Sequence, residues 1–473
     1  MLTVSVPRLP VQETTVIQAS AEEEYEDYTE DVYGSLVYKK YADYIEISGY
    51  TDEAENEITI PAEIDGLPVT SIGTLAFSNF YSLTSVIIPD GVTTIENRAF
   101  SGCTSLTSVT IPESVQSFGW YVFDYTPWLY QKQEENPFVI INHILIDGAL
   151  CKGEIIVPEG VTAISATAFY YCSDIISVTL PDGITSIGDG AFSNCSSLTS
   201  VNLPDSITNI GEEAFYGCSA LTSIAVPEGV TCILPYTFYE CSSLTSITLP
   251  DTLISIESWA LDDCTALTSV FIPKGVTSIA SGFLNGCSAA VSIDVDEENT
   301  VFSSKDGVLF NKEQTVLLRF PSGNEQTEYV IPETVTGIAF HAFRDCSHLL
   351  SIRIENPDCE IIENKYTLPE QAVIYGYENS TAQAYAEKYG YQFEVIGSEP
   401  ETESRAEEFL SGDADLSGKV DILDVITLNR AILGKETLTE NQIKAIDFNQ
   451  NGKPDSEESL MILKYITGLI EAL

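Results

Sequence analysis

The chain has 473 residues, of which 71 are Asp or Glu and 21 are Lys or Arg, and its formal net charge is −50. This length predicts more than one domain, and a hydrophobic content of 44% is enough for a packed core, which excludes global disorder. So acidic a chain disfavours nucleic acid and anionic membrane surfaces as partners. No apolar run reaches about 18 residues, so no membrane insertion is expected.

The first 35 residues are predicted to form an acidic N-terminal tail. Residues 21–31 (AEEEYEDYTED) are a dense run of carboxylates, which usually stays solvated. Residues 1–21 lack the basic start and the unbroken apolar run of a signal peptide, although Ala19-Ser20-Ala21 resembles a cleavage site. Residues 36–60 are predicted to form a hairpin that caps the first of the repeats that follow.

A 23-residue repeat organises the middle of the chain. Ile187, Ile210 and Ile233 recur at one repeat position, and segments such as 200–203 (SVNL) alternate polar and apolar residues before a proline. This pattern predicts one short strand per repeat, with parallel pairing between neighbouring repeats. A single repeat cannot bury its own apolar face, so the repeats are expected to stack into a solenoid.

The phrase AF-x-x-C-x-x-L-T-S-V-x-L-P, repeated across roughly residues 58–354, resembles the BspA-like leucine-rich repeats. The resemblance implies that residues 36–396 form a leucine-rich-repeat solenoid with a curved parallel β-sheet, an N-terminal cap and two longer repeats. The longer repeats correspond to interruptions of the phrase at about 119–156 and 296–330. The resemblance also implies a surface or secreted binding protein without catalytic activity.

Eight of the eleven cysteines occupy one position of the repeat. A small apolar residue at a fixed repeat position indicates a buried row, and parallel side chains in one core seldom meet with disulfide torsions. We therefore expect free core thiols at Cys103, Cys172, Cys195, Cys218, Cys241, Cys264, Cys287 and Cys346.

The surface of the solenoid leaves its target open. Ser and Thr dominate the exposed strand positions, which favours a polar face that serves solubility, with a binding face as the alternative. Tyr170, Tyr216 and Tyr239 recur near the 23-residue spacing and are expected to be exposed. They could stack on sugar rings, although repeat geometry alone explains a recurring residue. The target is therefore an unknown protein or glycan.

Beyond the repeats, Thr381–Tyr389 is predicted to form a short helix and the polar residues 397–411 a linker. Two twelve-residue loops follow, DADLSGKVDILD and DFNQNGKPDSEE. Calcium takes about six to eight oxygen ligands, and such loops supply them from positions 1, 3, 5, 7, 9 and 12, with glycine at position 6. The predicted ligands of two Ca²⁺ ions are Asp413, Asp415, Ser417, the Lys419 carbonyl, Asp421 and Asp424, then Asp447, Asn449, Asn451, the Lys453 carbonyl, Asp455 and Glu458.

Each loop leads into a segment with apolar residues at helical spacing. They predict a helix after each loop in a small all-α domain at 412–473, and for Leu463 core packing is favoured over partner contact. The two stripes are Val425, Leu428 and Ile432, then Leu460, Leu463, Ile466 and Ile470. This duplicated loop-then-helix layout, with no helix entering the first loop, resembles a dockerin.

The dockerin resemblance implies docking onto the cohesin domain of a scaffold protein. Dockerins contact cohesin through loop positions 10 and 11 and through the helix that follows each loop. In this chain the corresponding residues are Ile422, Leu423, Asn429, Arg430, Ser456, Glu457 and Lys464.

Together the two resemblances imply a secreted, non-catalytic binding or adhesion protein, anchored by a calcium-dependent dockerin to a cohesin-bearing scaffold as in cellulosome-type assemblies. Its place would be outside the cell or at the cell surface. Two alternatives remain: a calcium-binding surface adhesin without a scaffold partner, and an enzyme with an unrecognised active site. His143, His341 and His348 fall in no recognised catalytic motif. Histidines or paired acids lining a pocket of the solenoid would favour the enzyme.

Overall fold

The computed structural model describes residues 28–396, 411–414, 419–435, 437–448 and 453–467. The chain divides into two compact units after Ile396. In the part of the chain that is described, no helix is long and apolar enough to cross a membrane. The predicted linker falls almost entirely outside the described residues.

An antiparallel sheet covers the first repeat of the solenoid. Its strands are β1 (Thr29–Tyr33), β2 (Leu36–Lys40) and β3 (Ile45–Tyr50), and β3 pairs in parallel with the next long strand of the chain. The predicted capping hairpin corresponds to β2 and β3. β1 differs from the prediction, because its residues were assigned to the acidic tail. All five are exposed, so β1 is a charged edge strand that discourages pairing with other chains.

The remaining strands of the solenoid have two to six residues each. Before and within the first interruption they are β4 (Glu57–Thr59), β5 (Glu63–Ile64), β6 (Leu67–Ile72), β7 (Ser85–Ile87), β8 (Thr94–Ile95), β9 (Ser108–Thr110), β10 (Ser117–Phe118), β11 (Val139–Ile141) and β12 (Ile144–Asp147), with helix α1 (Pro127–Glu135) between β10 and β11. The regular middle holds β13 (Gly153–Ile156), β14 (Ala163–Ile164), β15 (Ile175–Thr179), β16 (Ser186–Ile187), β17 (Ser200–Asn202), β18 (Asn209–Ile210), β19 (Ser223–Ala225), β20 (Cys232–Ile233), β21 (Ser246–Thr248), β22 (Ser255–Ile256), β23 (Ser269–Ile272), β24 (Ser278–Ile279) and β25 (Ser292–Val295). The second interruption and the last coils hold β26 (Phe302–Lys305), β27 (Val308–Asn311), β28 (Val316–Arg319), β29 (Glu328–Ile331), β30 (Gly337–Ile338), β31 (Ser351–Ile354), β32 (Glu360–Ile361), β33 (Val373–Gly376), α2 (Thr381–Tyr389) and β34 (Phe393–Val395).

Each regular coil contributes two strands, whereas the sequence predicts only one. β15 and β17 pair in parallel so that Val178 lies beside Val201, and β16 and β18 do the same with Ile187 beside Ile210. The sequence does not predict the second row, because each of its strands has only two residues and an alternating pattern is not visible over so short a segment. The stacked coils therefore carry two parallel rows of strands.

Phenylalanine rings stack in the turn that connects the two strand rows. The Phe192 ring centroid lies 5.0 Å from that of Phe169 and 5.4 Å from that of Phe215, with nearly parallel planes. All three side chains are fully buried. Each ring pair adds about 0.5–1.5 kcal/mol beyond the burial of its surface, so this row stabilises the stack of coils.

Backbone hydrogen bonds join these turns from coil to coil. In the turn at 190–194 two residues adopt positive φ, Gly190 (58°) and Asn194 (60°), a conformation that favours Gly and Asn. The Gly190 N–H donates to the Glu212 carbonyl at 2.8 Å, and the Asn194 N–H donates to the Tyr216 carbonyl at 2.6 Å. We call the surface formed by residues 190–194 and their equivalents in the other coils the turn edge.

All eleven cysteines are free thiols, which confirms the prediction for the core row. Cys195 Sγ donates to the Phe169 carbonyl at 3.1 Å and Cys218 Sγ to the Phe192 carbonyl at 3.1 Å, each in the preceding coil. Burial raises the pKa of the Cys241 thiol to about 12, so it stays a protonated donor at neutral pH. The row therefore satisfies buried carbonyls that the strands leave unpaired.

The irregular elements lie within the two predicted interruptions. In the first, Thr126 caps α1, and Trp128 and Leu129 are buried. In the second, β26, β27 and β28 form an antiparallel meander. The apolar core is divided at both places into clusters spanning residues 36–144, 145–309 and 308–386. The helix predicted for Thr381–Tyr389 is confirmed as α2.

The second unit is helical. It consists of α3 (Ile422–Ile432), α4 (Glu440–Ile446) and α5 (Ser456–Ile466). α4 enters the second loop and is absent from the sequence prediction, although Thr439 and Gln442 form a capping box at its start. The buried apolar residues of this unit are Ala414, Val425, Leu428, Leu438, Ala445, Ile446 and Ile462.

Candidate calcium loops and docking face

Helices α3 and α5 each begin at a capping box built from two predicted calcium ligands. Asp421 Oδ1 accepts from the Leu423 N–H at 2.7 Å, and Asp424 Oδ2 accepts from the Asp421 N–H at 2.7 Å. In the second half, Glu458 Oε2 accepts from the Asp455 N–H at 3.0 Å. Loop positions 9 and 12 therefore also fix the turn from loop into helix.

The second carboxylate oxygen of Glu458 fits a metal ligand. Oε1 is buried and has no hydrogen-bond partner in the described part of the chain, and the residue is 1% exposed. Burial raises the pKa of Glu458, and the charges of Asp455 and Asp447 raise it further, against backbone hydrogen bonds that lower it. A cation beside this oxygen would offset both the burial and the repulsion, so these residues fit a bound calcium ion.

Part of each predicted ligand shell is not described. Asp413 and Asp424 are buried, at 3% and 0% exposure, whereas Asp447 is half-buried, and Lys419 and Lys453 are exposed. The predicted ligands outside the described residues are Asp415, Ser417, Asn449 and Asn451. Within the described ranges, no three Asp, Glu, His or Cys side chains are grouped to hold a metal, so the full ligand shells remain predictions.

Direct contacts join the two loop–helix halves. The Gly412 N–H donates to the Ala445 carbonyl at 2.8 Å. The Ser459 hydroxyl donates to Asn429 Oδ1 at 3.1 Å, which links α5 to α3. Asn429, predicted from sequence to contact cohesin, therefore also holds the two helices together.

The loop residues predicted to contact cohesin are all exposed. Ile422 and Leu423 are 51% and 54% exposed at the start of α3. Ser456 and Glu457 hold the same positions at the start of α5 and are also exposed. Since one pair is apolar and the other polar, the two halves present different chemistry to a partner.

The core packing favoured for Leu463 is wrong. Leu460 is 49% exposed and Leu463 is 37% exposed, whereas Ile462, one residue before Leu463, is fully buried. Ile432 of α3, part of the other apolar stripe, is also 37% exposed. Both helices carry more than one apolar stripe, and only one stripe of each can face the small core. Ile470 lies outside the described residues.

Two further exposed apolar residues, one in α3 and one at its C-cap, were missed from the sequence. Ile426 is 47% exposed and Leu433 is 70% exposed. They lie four and eleven residues after Ile422, a helical spacing that was visible in the sequence as a second stripe. Of the charged candidates, Arg430 is exposed and Lys464 is half-buried. So many exposed apolar side chains on one small domain indicate a contact surface.

A cleft opens on the turn edge at the first interruption, with a volume of about 740 Å³. Asp124 and Asp147 both line this cleft, and none of the three histidines does. Burial raises the pKa of Asp124 to about 6, the charge of Asp147 adds to this, and Arg98 opposes it. The solenoid therefore has two acids lining one pocket, the kind of feature that would favour an enzyme.

The recurring tyrosines are half-buried, not exposed as the sequence predicts. Tyr216 and Tyr239 stack on each other with ring centroids 5.3 Å apart, and Tyr170 packs edge-on against Tyr121 at 5.6 Å. Much of each ring is therefore covered by a neighbouring ring. The exposed aromatic residues of the turn edge include Tyr125 and Tyr171.

Two known sequence families match the chain. The BspA type leucine rich repeat region matches residues 43–142, 151–239, 210–315 and 319–366, which together make up more than half of the chain. The dockerin type I domain matches residues 411–467. A search of curated proteins finds no match.

Solved structures similar to this chain are leucine-rich repeat proteins. A leucine rich cell surface protein from Faecalibacterium prausnitzii is 25% identical with a TM-score of 0.39, and the match covers 78% of this chain and 96% of that one. A leucine-rich repeat protein from Bacteroides ovatus is 23% identical with a TM-score of 0.37, and the match covers 77% and 99%.

Proposed function

Because the chain belongs to the BspA-type leucine-rich repeat family and ends in a type I dockerin domain, we propose that it is a secreted, non-catalytic binding protein docked onto a cohesin-bearing scaffold. Dockerin domains bind cohesin domains, and proteins of both families are typically extracellular or at the cell surface. The observation that carries the proposal is the exposed apolar pair Ile422 and Leu423 beside the ligand positions of the first loop.

The proposed domains are a solenoid at 36–396, a linker at 397–411 and a dockerin at 412–473, preceded by a short acidic tail. Support comes from the division of the chain after Ile396 and from the dockerin match at 411–467. The solenoid would bind the target, and the dockerin would hold the protein on the scaffold. Arg430 and Lys464 would add charged contacts to cohesin at the edge of the apolar pair.

Type I dockerin domains bind calcium, and we assign one ion to each loop. The two capping boxes at α3 and α5 support this count, because they give both loops the same carboxylate arrangement. The buried, unpartnered Oε1 of Glu458 supports an ion in the second loop. Bound calcium supplies positive charge that lets these carboxylates lie close together.

The test is capture of the full chain by a panel of purified type I cohesins. Binding is expected in calcium, should disappear in excess EDTA and should return when calcium is restored. A chain that ends at Ile396 is the matched control and should not be captured. Capture of the control, or no capture of the full chain by any cohesin, would overturn the proposal.

An enzyme acting on glycans is the second candidate, favoured by Asp124 and Asp147 in the solenoid cleft. In glycoside hydrolysis two carboxylates on either side of the scissile bond serve as acid and base. Release of reducing sugar from a polysaccharide panel tests this candidate. Loss of that release in both Asp124→Asn and Asp147→Asn would establish it, and no release by the parent chain would exclude it for the panel.

A further inference from the structure

The solenoid cleft exists because one coil leaves the turn edge at the first interruption. In the regular region, the turns of consecutive coils are hydrogen-bonded to each other. Here the Ser165 hydroxyl donates to the Phe118 carbonyl at 3.0 Å, across 47 residues of chain, so turns about two repeats apart are in direct contact. The chain between them runs instead through α1, β11 and β12.

The row of stacked rings is broken at the same place. The Phe123 ring packs against Trp128 of α1, with centroids 4.5 Å apart, instead of against a phenylalanine of the next coil. Gly148 lies against the Phe169 ring so closely that a Cβ at this position would overlap it. The sequence thus places a residue without a side chain where the next ring of the row would stand, and the space on the turn edge stays open.

Four tyrosines surround this opening. Tyr121 and Tyr170 meet edge-to-face at 5.6 Å and are partly buried in the wall. Tyr125 and Tyr171 also line the cleft and are 67% and 62% exposed. Both hold a positive-φ turn position, with φ of 60° and 58°. Both rings therefore stand at turns of the solenoid and still offer most of their surface to a ligand.

The polar lining suits a ligand with hydroxyl groups. Asp147 Oδ1 accepts from Gln133 Nε2 at 2.9 Å, which orients this carboxylate. Arg98 lies over the Tyr121 ring at 5.5 Å and is thereby engaged within the wall. Asp124 also lines the cleft, and the other polar lining residues include neutral serine, threonine and asparagine side chains.

The charge of the site restricts the class of ligand. An anionic ligand would be repelled by Asp124 and Asp147 and by a chain of net charge −50. A sugar ring carries an apolar C–H face that packs on an aromatic ring and hydroxyl groups that donate to carboxylates. The volume of about 740 Å³ lies within the range of small-molecule sites.

We propose that this cleft binds a neutral oligosaccharide, with Tyr125 and Tyr171 packing on sugar rings and Asp124 and Asp147 accepting from sugar hydroxyls. The inference deepens the proposed function, since it gives the solenoid a target class, but it does not require that the dockerin be functional. The target of the solenoid would then be a glycan rather than a protein.

The test is calorimetric titration of the full chain with neutral hexasaccharides of glucose, xylose, mannose and galactose. At least one is expected to bind with a Kd below about 1 mM. The double variant Tyr125→Ala with Tyr171→Ala should weaken that binding at least about tenfold, because both rings are exposed and contribute contact area to the ligand. Tyr81→Ala is the matched control, since Tyr81 is 62% exposed on the same solenoid and does not line the cleft.

Three results would overturn the inference. These are no binding of any neutral hexasaccharide, binding that the double variant retains in full, and an equal loss in the Tyr81→Ala control. Thermal melting of each variant should match the parent, because the substituted rings are exposed. Each titration is repeated in EDTA, where sugar binding should persist while cohesin capture is lost, so failure of one proposal is distinguishable from failure of the other.

Discussion

We predict that the dockerin docks in a single orientation, through its first half. The perturbation is Ile422→Asp with Leu423→Asp. Full burial of an Ile or Leu side chain stabilises by about 1.5–3 kcal/mol. About half of each side chain is still exposed, at 51% and 54%, so docking would gain about 1 kcal/mol from each. Each aspartate would also bring a charge into a desolvated interface at a cost of several kcal/mol. Binding to a cognate cohesin should therefore be abolished.

The matched variant changes the same positions of the second half. Ser456→Asp with Glu457→Ala alters two exposed, polar residues and should change the binding free energy by less than about 1 kcal/mol. Calorimetry against one cognate cohesin in calcium gives both values, and circular dichroism confirms that both variants are folded. If each double variant binds as tightly as the parent and only the quadruple variant fails, docking occurs in two poses and the reasoning is refuted.

Three further predictions concern calcium, independence of the domains and pH. Removal of calcium from the isolated segment 397–473 with EDTA should reduce its helical circular dichroism, and a spectrum insensitive to EDTA would contradict this. Glu458→Gln should weaken calcium binding at the second loop, because it removes the charge beside the buried Oε1. A chain that ends at Ile396 should remain soluble and β-rich, since, among the described residues, none beyond Phe393 packs against the solenoid core. Its aggregation beside a well-behaved full chain would count against two independent domains. Relative to the parent chain, Asp124→Asn should have a higher melting temperature above pH 6 and the same melting temperature below about pH 4, as measured by thermal melts across this range. At neutral pH the free energy of unfolding should increase by at most about 3 kcal/mol.

The sign of the pH effect follows from the raised pKa of Asp124. Its folded-state pKa is about 6 against an ordinary value of 3.8, so the unfolded chain releases this proton first as pH rises. The folded state therefore loses stability between about pH 4 and pH 6, and the full cost remains above pH 6. An amide at this position cannot ionise and avoids that cost. Melts of Asp124→Asn and parent that run parallel at every pH would contradict the assignment.

The repeat could be predicted from the sequence because it recurs with a constant period, whereas its interruptions could be located but not interpreted. Nothing in the sequence of the first interruption shows that Ser165 meets Phe118 across the missing coil, since that contact depends on where α1 directs the chain. The cleft, and the two acids that line it, therefore became visible only in three dimensions. Short strands of the second row, such as β16 and β18, were not predicted for a different reason. Two residues are too few to show an alternating pattern.

The candidate loops were predictable from ligand spacing alone, but the faces of their helices were not. Leu460 and Leu463 have a helical spacing that suits a core, yet the core of this small unit accepts Ile462 instead. Periodicity identifies an apolar stripe without saying which stripe is covered when a helix has two. Leu460 and Leu463 therefore remain exposed on α5, outside the core that their spacing suggested.

The buried thiol row has a consequence for how the protein would survive outside a cell. While the coils are stacked, the raised pKa of these thiols keeps thiolate scarce, and thiolate is the form that oxidants attack. Once the solenoid opens, eleven cysteines become accessible in one chain and can form disulfides in many wrong pairings. Refolding would then compete with irreversible cross-linking. In an oxidising environment the lifetime of the solenoid is therefore set by how slowly it opens, and kinetic stability matters more than the equilibrium free energy of unfolding.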